Sequence, residues 1–357
     1  MTTTASRTFT VGMTGALSVT LALGLALPAA ADDLVRIGVW GGSPGTMYRD
    51  IIGAAFTEKT GIPVEVYEMP SASAAIVAGD GTPEFDVGVI TGFEVAQLTQ
   101  RGLLKEFTLE QLPSIGDFPE ELRHMSADGE SIVAVPSYYI FYGIGYNTEF
   151  ASAEDFASWE SLTDPKWSDR IAVTRPVFQS VYDLTLYAYL NGGDSSNIEP
   201  GIPMLRAVME NALTVYPSMG TMNSMLAQGE VIAGPYYSSI NFLTVQDPNT
   251  NFRVMLPDEG GLLLPYAVVQ PVGTEDSDAV RQFLDFVGSP EAQSMVSQYT
   301  YLPMNPQATV SPAFQEFLGM TPEELMERLF VADWSVIAEQ QEERVRLVEQ
   351  VIGEMGL

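Results

Sequence analysis

Residues 34–101 read LVRIGVWGGSPGTMYRDIIGAAFTEKTGIPVEVYEMPSASAAIVAGDGTPEFDVGVITGFEVAQLTQR, and the order of patterns in this stretch decides the fold class. Residues 34–40 form a short apolar strand signal, and Gly41-Gly42-Ser43-Pro44-Gly45 is a turn. Residues 47–59 then place Ile51, Ile52, Ala55 and Phe56 on one helical face, with Gly61 where a helix C-cap belongs. A strand at 62–68, a helix at 71–79, a strand at 85–90 and a helix at 93–101 complete a βαβαβ order. That order predicts an α/β fold with a mostly parallel sheet and helices on both faces. In such sheets ligands sit beyond the carboxyl ends of the strands, so the loops after Val39, Glu68 and Ile90 are candidate binding loops.

Downstream, residues 131–147 are an unusually aromatic extended stretch, and helix and strand signals continue from there to about residue 251. Two strands follow, at 252–256 and 266–271, separated by Pro257-Asp258-Glu259-Gly260-Gly261. The chain is expected to leave a first lobe near Tyr142 and to return to it near Leu262. Ser289-Pro290-Glu291 opens one helix of the tail and Thr321-Pro322-Glu323-Glu324 another, with N-cap and capping-box spacing. Trp334, Ile337, Gln341, Val345, Val348 and Ile352 fall near one face of a last helix that clamps a lobe. The expected organisation is a leader at 1–31, lobe 1 at 32–141 plus 266–305, lobe 2 at 142–265, and C-terminal helices at 306–357 packing on the lobes.

The leader reading rests on Arg7, an uncharged run over 11–27 and Ala29-Ala30-Ala31 before Asp32-Asp33, the layout of a secretory signal peptide. The alternative, a membrane anchor, meets a run of about 17 residues, short of the ~20 that span a bilayer. Its removal leaves about 326 residues, more than one core usually serves, so two lobes are expected. With no cysteine, stability comes from packing. Sixteen Lys+Arg against 46 Asp+Glu, a formal charge of −30, argue against nucleic acid and anionic lipid as partners. The acids are spread through every segment, as on a solvated surface suited to salty water.

Enzyme chemistry finds little footing. His124 is the single histidine, in a polar segment without a motif, and reads as a surface or structural residue. There is no cysteine nucleophile, P-loop, HExxH or GxSxG. The aromatics tell more. Trp40 with Gly41 at the first strand end, Tyr138, Tyr139 and Tyr142 in the crossing strand, and Tyr236-Tyr237 after Gly234-Pro235 are candidates to line a cleft. Such rings stack on a ligand's apolar body and attract a cation through their faces; the alternative for each is core or hinge packing. Ser218 and Thr221 open a short helix that Gly229 ends, and either donate to an anionic group or merely cap the helix. Glu259, in the second turn, is a candidate for an amine.

The ordered segments Val39-Trp40-Gly41-Gly42, Phe85-Asp86-Val87-Gly88-Val89, Tyr142-Gly143-Ile144-Gly145-Tyr146-Asn147 and Trp159-Glu160-Ser161-Leu162-Thr163-Asp164-Pro165-Lys166-Trp167 carry a family resemblance. Leu226-Ala227-Gln228-Gly229-Glu230-Val231, Pro257-Asp258-Glu259-Gly260-Gly261 and Ser289-Pro290-Glu291-Ala292-Gln293 extend it. Together they resemble the family 1 extracellular solute-binding proteins, in particular the group of polyamine (spermidine/putrescine), ferric-iron and thiamine binders. The resemblance implies a type II periplasmic-binding-protein fold of two α/β lobes joined by a two-segment hinge. It also implies a periplasmic monomer that closes on a small solute and delivers it to the permease subunits of an ABC importer. No cofactor and no covalent step enters this reading. The aspartates that hold amines in polyamine binders are missing from 234–239 and 262–267, which leaves an amine-bearing, polyamine-like or zwitterionic solute in an aromatic cage. The alternatives are ferric iron on Tyr236 and Tyr237, or an exported enzyme on the same scaffold, since fold alone does not decide function.

Overall fold

The computed structural model describes residues 34–240, 250–299 and 301–356, so the expected leader lies outside the described residues. Three strands, β1 (Val35–Val39), β2 (Val64–Glu68) and β3 (Val87–Thr91), pair in parallel in the order β2-β1-β3. Each reaches its neighbour through a helix with a local stop or start signal. Gly61 closes the first with φ 78°, Ser71 accepts the Ala74 N–H, and Thr91 and Glu94 form a complete capping box. The first of these helices runs over 43–60 and contains a π turn at Tyr48–Ile52.

The remaining strands are β4 (His124–Met125), β5 (Ile132–Asn147), β6 (Ile171–Val173), β7 (Ala212–Val215), β8 (Ala233–Tyr237), β9 (Phe252–Met255), β10 (Gly261–Val269) and β11 (Leu329–Phe330). They extend the sheet to the order β2-β1-β3-β10-β5-β8-β6-β7, with β4 and β9 on β5 and β11 on β10. The short β11 pairs in parallel with β10, and along the order given the sheet is parallel at its two flanks. Its centre is antiparallel, β3 to β10, β10 to β5 and β5 to β8, because β5 and β10 are long return strands rather than members of a helical crossover. β10 begins five residues before the strand expected at 266–271. Pro265 hid it: the proline sits inside β10, beside a register shift at Tyr266/Ala267.

β5 is buried along its whole length and changes partner at Tyr142. Residues 135–142 pair with β10, whereas 142–146 pair with β8 and 144–147 with β9. The last helix of the sequence reading is two helices, Trp334–Glu339 and Gln341–Met355, broken at Gln340. The break shifts the phase, so the second buries Arg344, Val348 and Val351 where Val345 and Ile352 were expected to lead. Arg344 is fully buried and donates to Thr185 Oγ1 (2.9 Å), Gln340 Oε1 and the Ser195 carbonyl.

Candidate functional site

Two groups of rings meet where β5 changes partner. From the β1–β3 side, Trp40 follows β1 and sets its edge against Tyr266 of β10 (5.6 Å, 83°). Tyr266 stacks on Tyr138 of β5 (4.7 Å, 14°), and Tyr138 packs on Tyr301 (4.3 Å). From the β6–β8 side, Tyr142 contacts Tyr237 (5.2 Å) and Tyr182 (5.6 Å), and Tyr182 stands edge-on to Tyr237 (6.0 Å, 89°). Tyr182 also stacks on Phe178 (5.7 Å, 7°) and meets Trp334 edge-on (6.3 Å, 82°). Tyr182 and Tyr237 lie within electrostatic reach of Tyr266, which makes the two groups neighbours.

The charges around these rings are few and placed. Glu94, half-buried in the first turn after β3, acts on both Tyr182 and Tyr266. Its carboxylate is held by the Thr91 N–H (2.9 Å), the Thr91 hydroxyl (3.0 Å) and the Ser73 hydroxyl, so its direction is fixed before any ligand arrives. At the other end, the exposed Arg175 guanidinium lies over the Phe178 ring at 4.7 Å. A second carboxyl, Asp183, is buried beneath Tyr142, whose hydroxyl donates to it at 3.3 Å. Burial pushes that carboxyl up to about 8 against the lowering pull of the Tyr142 hydrogen bond, which favours its neutral form at pH 7. The phenols of Tyr138, Tyr142, Tyr182 and Tyr237 are raised by the same burial and stay protonated.

Of the residues chosen from sequence, Trp40 and Tyr138 are brought together through Tyr266, and Tyr142 meets Tyr237 in the second group. Gly41 adjoins Trp40 in a tight approach: a Cβ there would come 3.0 Å from Glu68 Oε2. Tyr139 points to the opposite face of β5, and its N–H donates to the Leu302 carbonyl. Tyr236 likewise turns away from Tyr237's partners; its hydroxyl is engaged with Asn223 Oδ1 (2.7 Å) and the Met219 carbonyl (3.0 Å). Ser218 accepts the Thr221 N–H (3.2 Å) and meets the Thr221 hydroxyl (3.0 Å), which makes both residues part of a helix cap. Glu259 is exposed in the β9–β10 turn and accepts from Ser158.

Tyr182, Tyr266, Tyr301, Trp334, Glu94 and Asp183 escaped the sequence reading. The Thr91-Gly92-Phe93-Glu94 capping spacing directly after a strand was the one signal that could have found Glu94. His124, read as a surface or structural residue, lies in β4 opposite Ala134 with its Nε2 sealed and unpartnered, and burial lowers its pKa to about 4. Among the described residues no group of three His, Cys, Asp or Glu is placed to hold a metal, and no helix is long and apolar enough to cross a membrane.

Parallel flanks around an antiparallel centre are the arrangement of the type II periplasmic-binding-protein fold. The chain belongs to the bacterial extracellular solute-binding protein family, which matches residues 52–322. It is 22% identical over 290 residues to the spermidine/putrescine-binding periplasmic protein 1 of Haemophilus influenzae, covering 78% of each chain. It is 24% identical over 279 residues to a Salmonella typhimurium protein named for 2-aminoethylphosphonate binding, covering 75% of this chain and 76% of that one. In structure it is similar to the spermidine/putrescine substrate-binding protein of Streptococcus pneumoniae, with a TM-score of 0.66, 20% identity and coverage of 87% of this chain and 99% of that one.

Proposed function

We propose that this chain captures a small organic cation or zwitterion outside the cytoplasmic membrane and hands it to the permease of an ABC importer. The observation that carries this reading is the meeting of the Trp40–Tyr266 pair with the Tyr182–Tyr237 pair in reach of the Glu94 carboxylate. Ring faces and a fixed carboxylate together favour an ammonium group. Arg175, beyond Phe178, is available to an acidic far end. The names of the polyamine and aminoethylphosphonate relatives describe solutes of these two kinds. Tyr142 on β5 and Leu262 on β10, paired to each other, are the two strand positions about which the sheet halves would close on the solute.

Export by a cleaved leader at 1–31 is part of the same proposal. A ferric site on Tyr236 and Tyr237 would require two buried phenols to ionise and Tyr236 to give up its bonds to Met219 and Asn223. An organic cation requires neither.

Calorimetric titration of the mature chain with putrescine, spermidine, 2-aminoethylphosphonate and ferric citrate tests the reading. Trp40→Ala and Tyr237→Ala are expected to weaken the amine that binds. Glu94→Gln, which keeps the capping-box acceptor, is expected to weaken it by about tenfold or more, the worth of a hydrogen bond to a charged group. Amine affinity unchanged in all three variants, or tyrosinate colour with ferric citrate alone, would overturn it.

A further inference from the structure

The C-terminal segment touches both halves of the sheet, and it does so unequally. Toward the β6–β8 half it is tied by the buried Arg344, by the Asp333 N–H to Ser195 Oγ (2.9 Å), by the Tyr189 hydroxyl to the Val331 carbonyl (3.1 Å) and by the Arg206–Glu354 ion pair. Toward the β1–β3 half two side-chain amides hold it: Gln97 donates to Gln341 Oε1 and Gln100 to the Ser335 carbonyl (3.1 Å). Between these ties lies Trp334. One side of its ring meets Tyr182 of the solute site. The other fits against Gly92, where an added Cβ would come 2.6 Å from Pro265 Cγ and 3.3 Å from Trp334 Cδ1.

Beside this contact, where the helix Trp334–Glu339 packs directly on the helix Gly92–Gln100, an open pocket of about 520 Å³ is lined by Ala96 and Thr99, by His124 of β4, and by Ala332, Trp334 and Glu339. What must part on this side is helix packing and two side-chain amide bonds, whereas the other side holds the buried Arg344 guanidinium, whose loss of partners would leave a charge unpaired.

We infer that residues 331–344 are a moving wall of the solute site, in which Trp334 is a positioning residue that travels with Tyr182 and docks on Gly92 when the halves close. The inference rests on the hinge reading above and deepens it: closure would press Trp334 behind Tyr182 and fix a ring that stands within reach of Tyr266. Gly92 has no room for a side chain because Pro265 and the indole both close on it.

The chain has no cysteine, so spin-label pairs can be placed without background. Three pairs of exposed sites separate the possibilities by pulsed EPR: Glu58–Glu210 across the halves, Gln100–Glu342 across the parting interface and Ser196–Glu342 across the fixed one. The samples are the free protein, the protein with putrescine or 2-aminoethylphosphonate, and free Gly92→Leu. The first two pairs are expected to shift together on adding the solute, while Ser196–Glu342 keeps a single distance. Gly92→Leu is expected to move Gln100–Glu342 to the longer population without solute. Should that variant not fold, Gln97→Ala carries the same expectation, since the label at position 100 already replaces the second amide.

A shift in Glu58–Glu210 with Gln100–Glu342 unmoved overturns the wall and leaves the hinge standing; no shift in Glu58–Glu210 under any condition removes both. As a readout that a merely structural role would not move, Trp334→Ala should weaken the bound solute about tenfold and Trp334→Phe should restore it, in keeping with the worth of one aromatic pair. Equal affinity in the two variants overturns the positioning role.

Discussion

Asp183, which is buried, and His124, which is partly exposed but has a sealed Nε2, are titratable groups with opposite effects on stability. Asp183 moves from 3.8 up to about 8 on folding, so between those values the native chain carries a proton that the unfolded chain has released. Its contribution is full below pH 3.8 and is lost as pH rises through 8, at about 1.4 kcal/mol per pH unit. His124 moves from 6.5 down to about 4, so the unfolded chain binds a proton that the native chain refuses. Its contribution is full above pH 6.5 and is lost as pH falls through 4. The two slopes cancel from about pH 4 to 6.5, and Asp183 acts alone from there to about 8. The melting temperature is therefore expected to fall between pH 6.5 and 8, and Asp183→Asn, which keeps an acceptor for the Tyr142 hydroxyl, to flatten that fall. His124→Gln should uncover a second fall between pH 4 and 6.5. A fall of the same size above pH 6.5 in Asp183→Asn would remove Asp183 as its source.

The helix Met219–Gln228 shows how a capping element resembles a binding one in sequence. Ser218 supplies its N-cap, so Ser218→Ala is expected to cost about 1 kcal/mol in denaturant unfolding and to leave solute affinity unchanged. A matching loss of affinity would return Ser218 to the site. The same contrast explains what was legible at the scale of elements. The βαβαβ unit could be read because its signals are local: Gly61 at a C-cap, Ser71 and Thr91 at N-caps, apolar strands between. The antiparallel centre could not, since the pairing of Leu262 with Tyr142 joins residues 120 positions apart and Pro265 speaks locally against a strand. For the site, Trp40 and Tyr237 were visible because they end strands. Tyr182 and Trp334 belong to helices, where a ring reads as core, and only the packing of the C-terminal segment onto the π turn Gln179–Asp183 brings them together. Asp183 was one acid among 46 until its burial set it apart.

For the molecule as a whole, charge sets the dependence on salt. Forty-six acids against 16 bases leave −30, and the ion pairs among the described residues lie mostly on the surface, where each is worth little. Self-repulsion in the compact state is then expected to outweigh pairing. Raising NaCl from 10 mM to 1 M shortens the screening length from about 30 Å to about 3 Å, which relieves repulsion between distant acids and weakens exposed pairs. The two effects have opposite signs, so the direction of the change decides between them. If repulsion dominates, the melting temperature at pH 7 rises with salt, by roughly 2 °C for each kcal/mol relieved. Near pH 4, where the carboxylates take up protons and the net charge shrinks, the rise should vanish. A fall with salt at pH 7 would show that the surface pairs carry more stability than repulsion removes, and an equal rise at both pH values would assign the effect to salt acting on apolar burial rather than on charge.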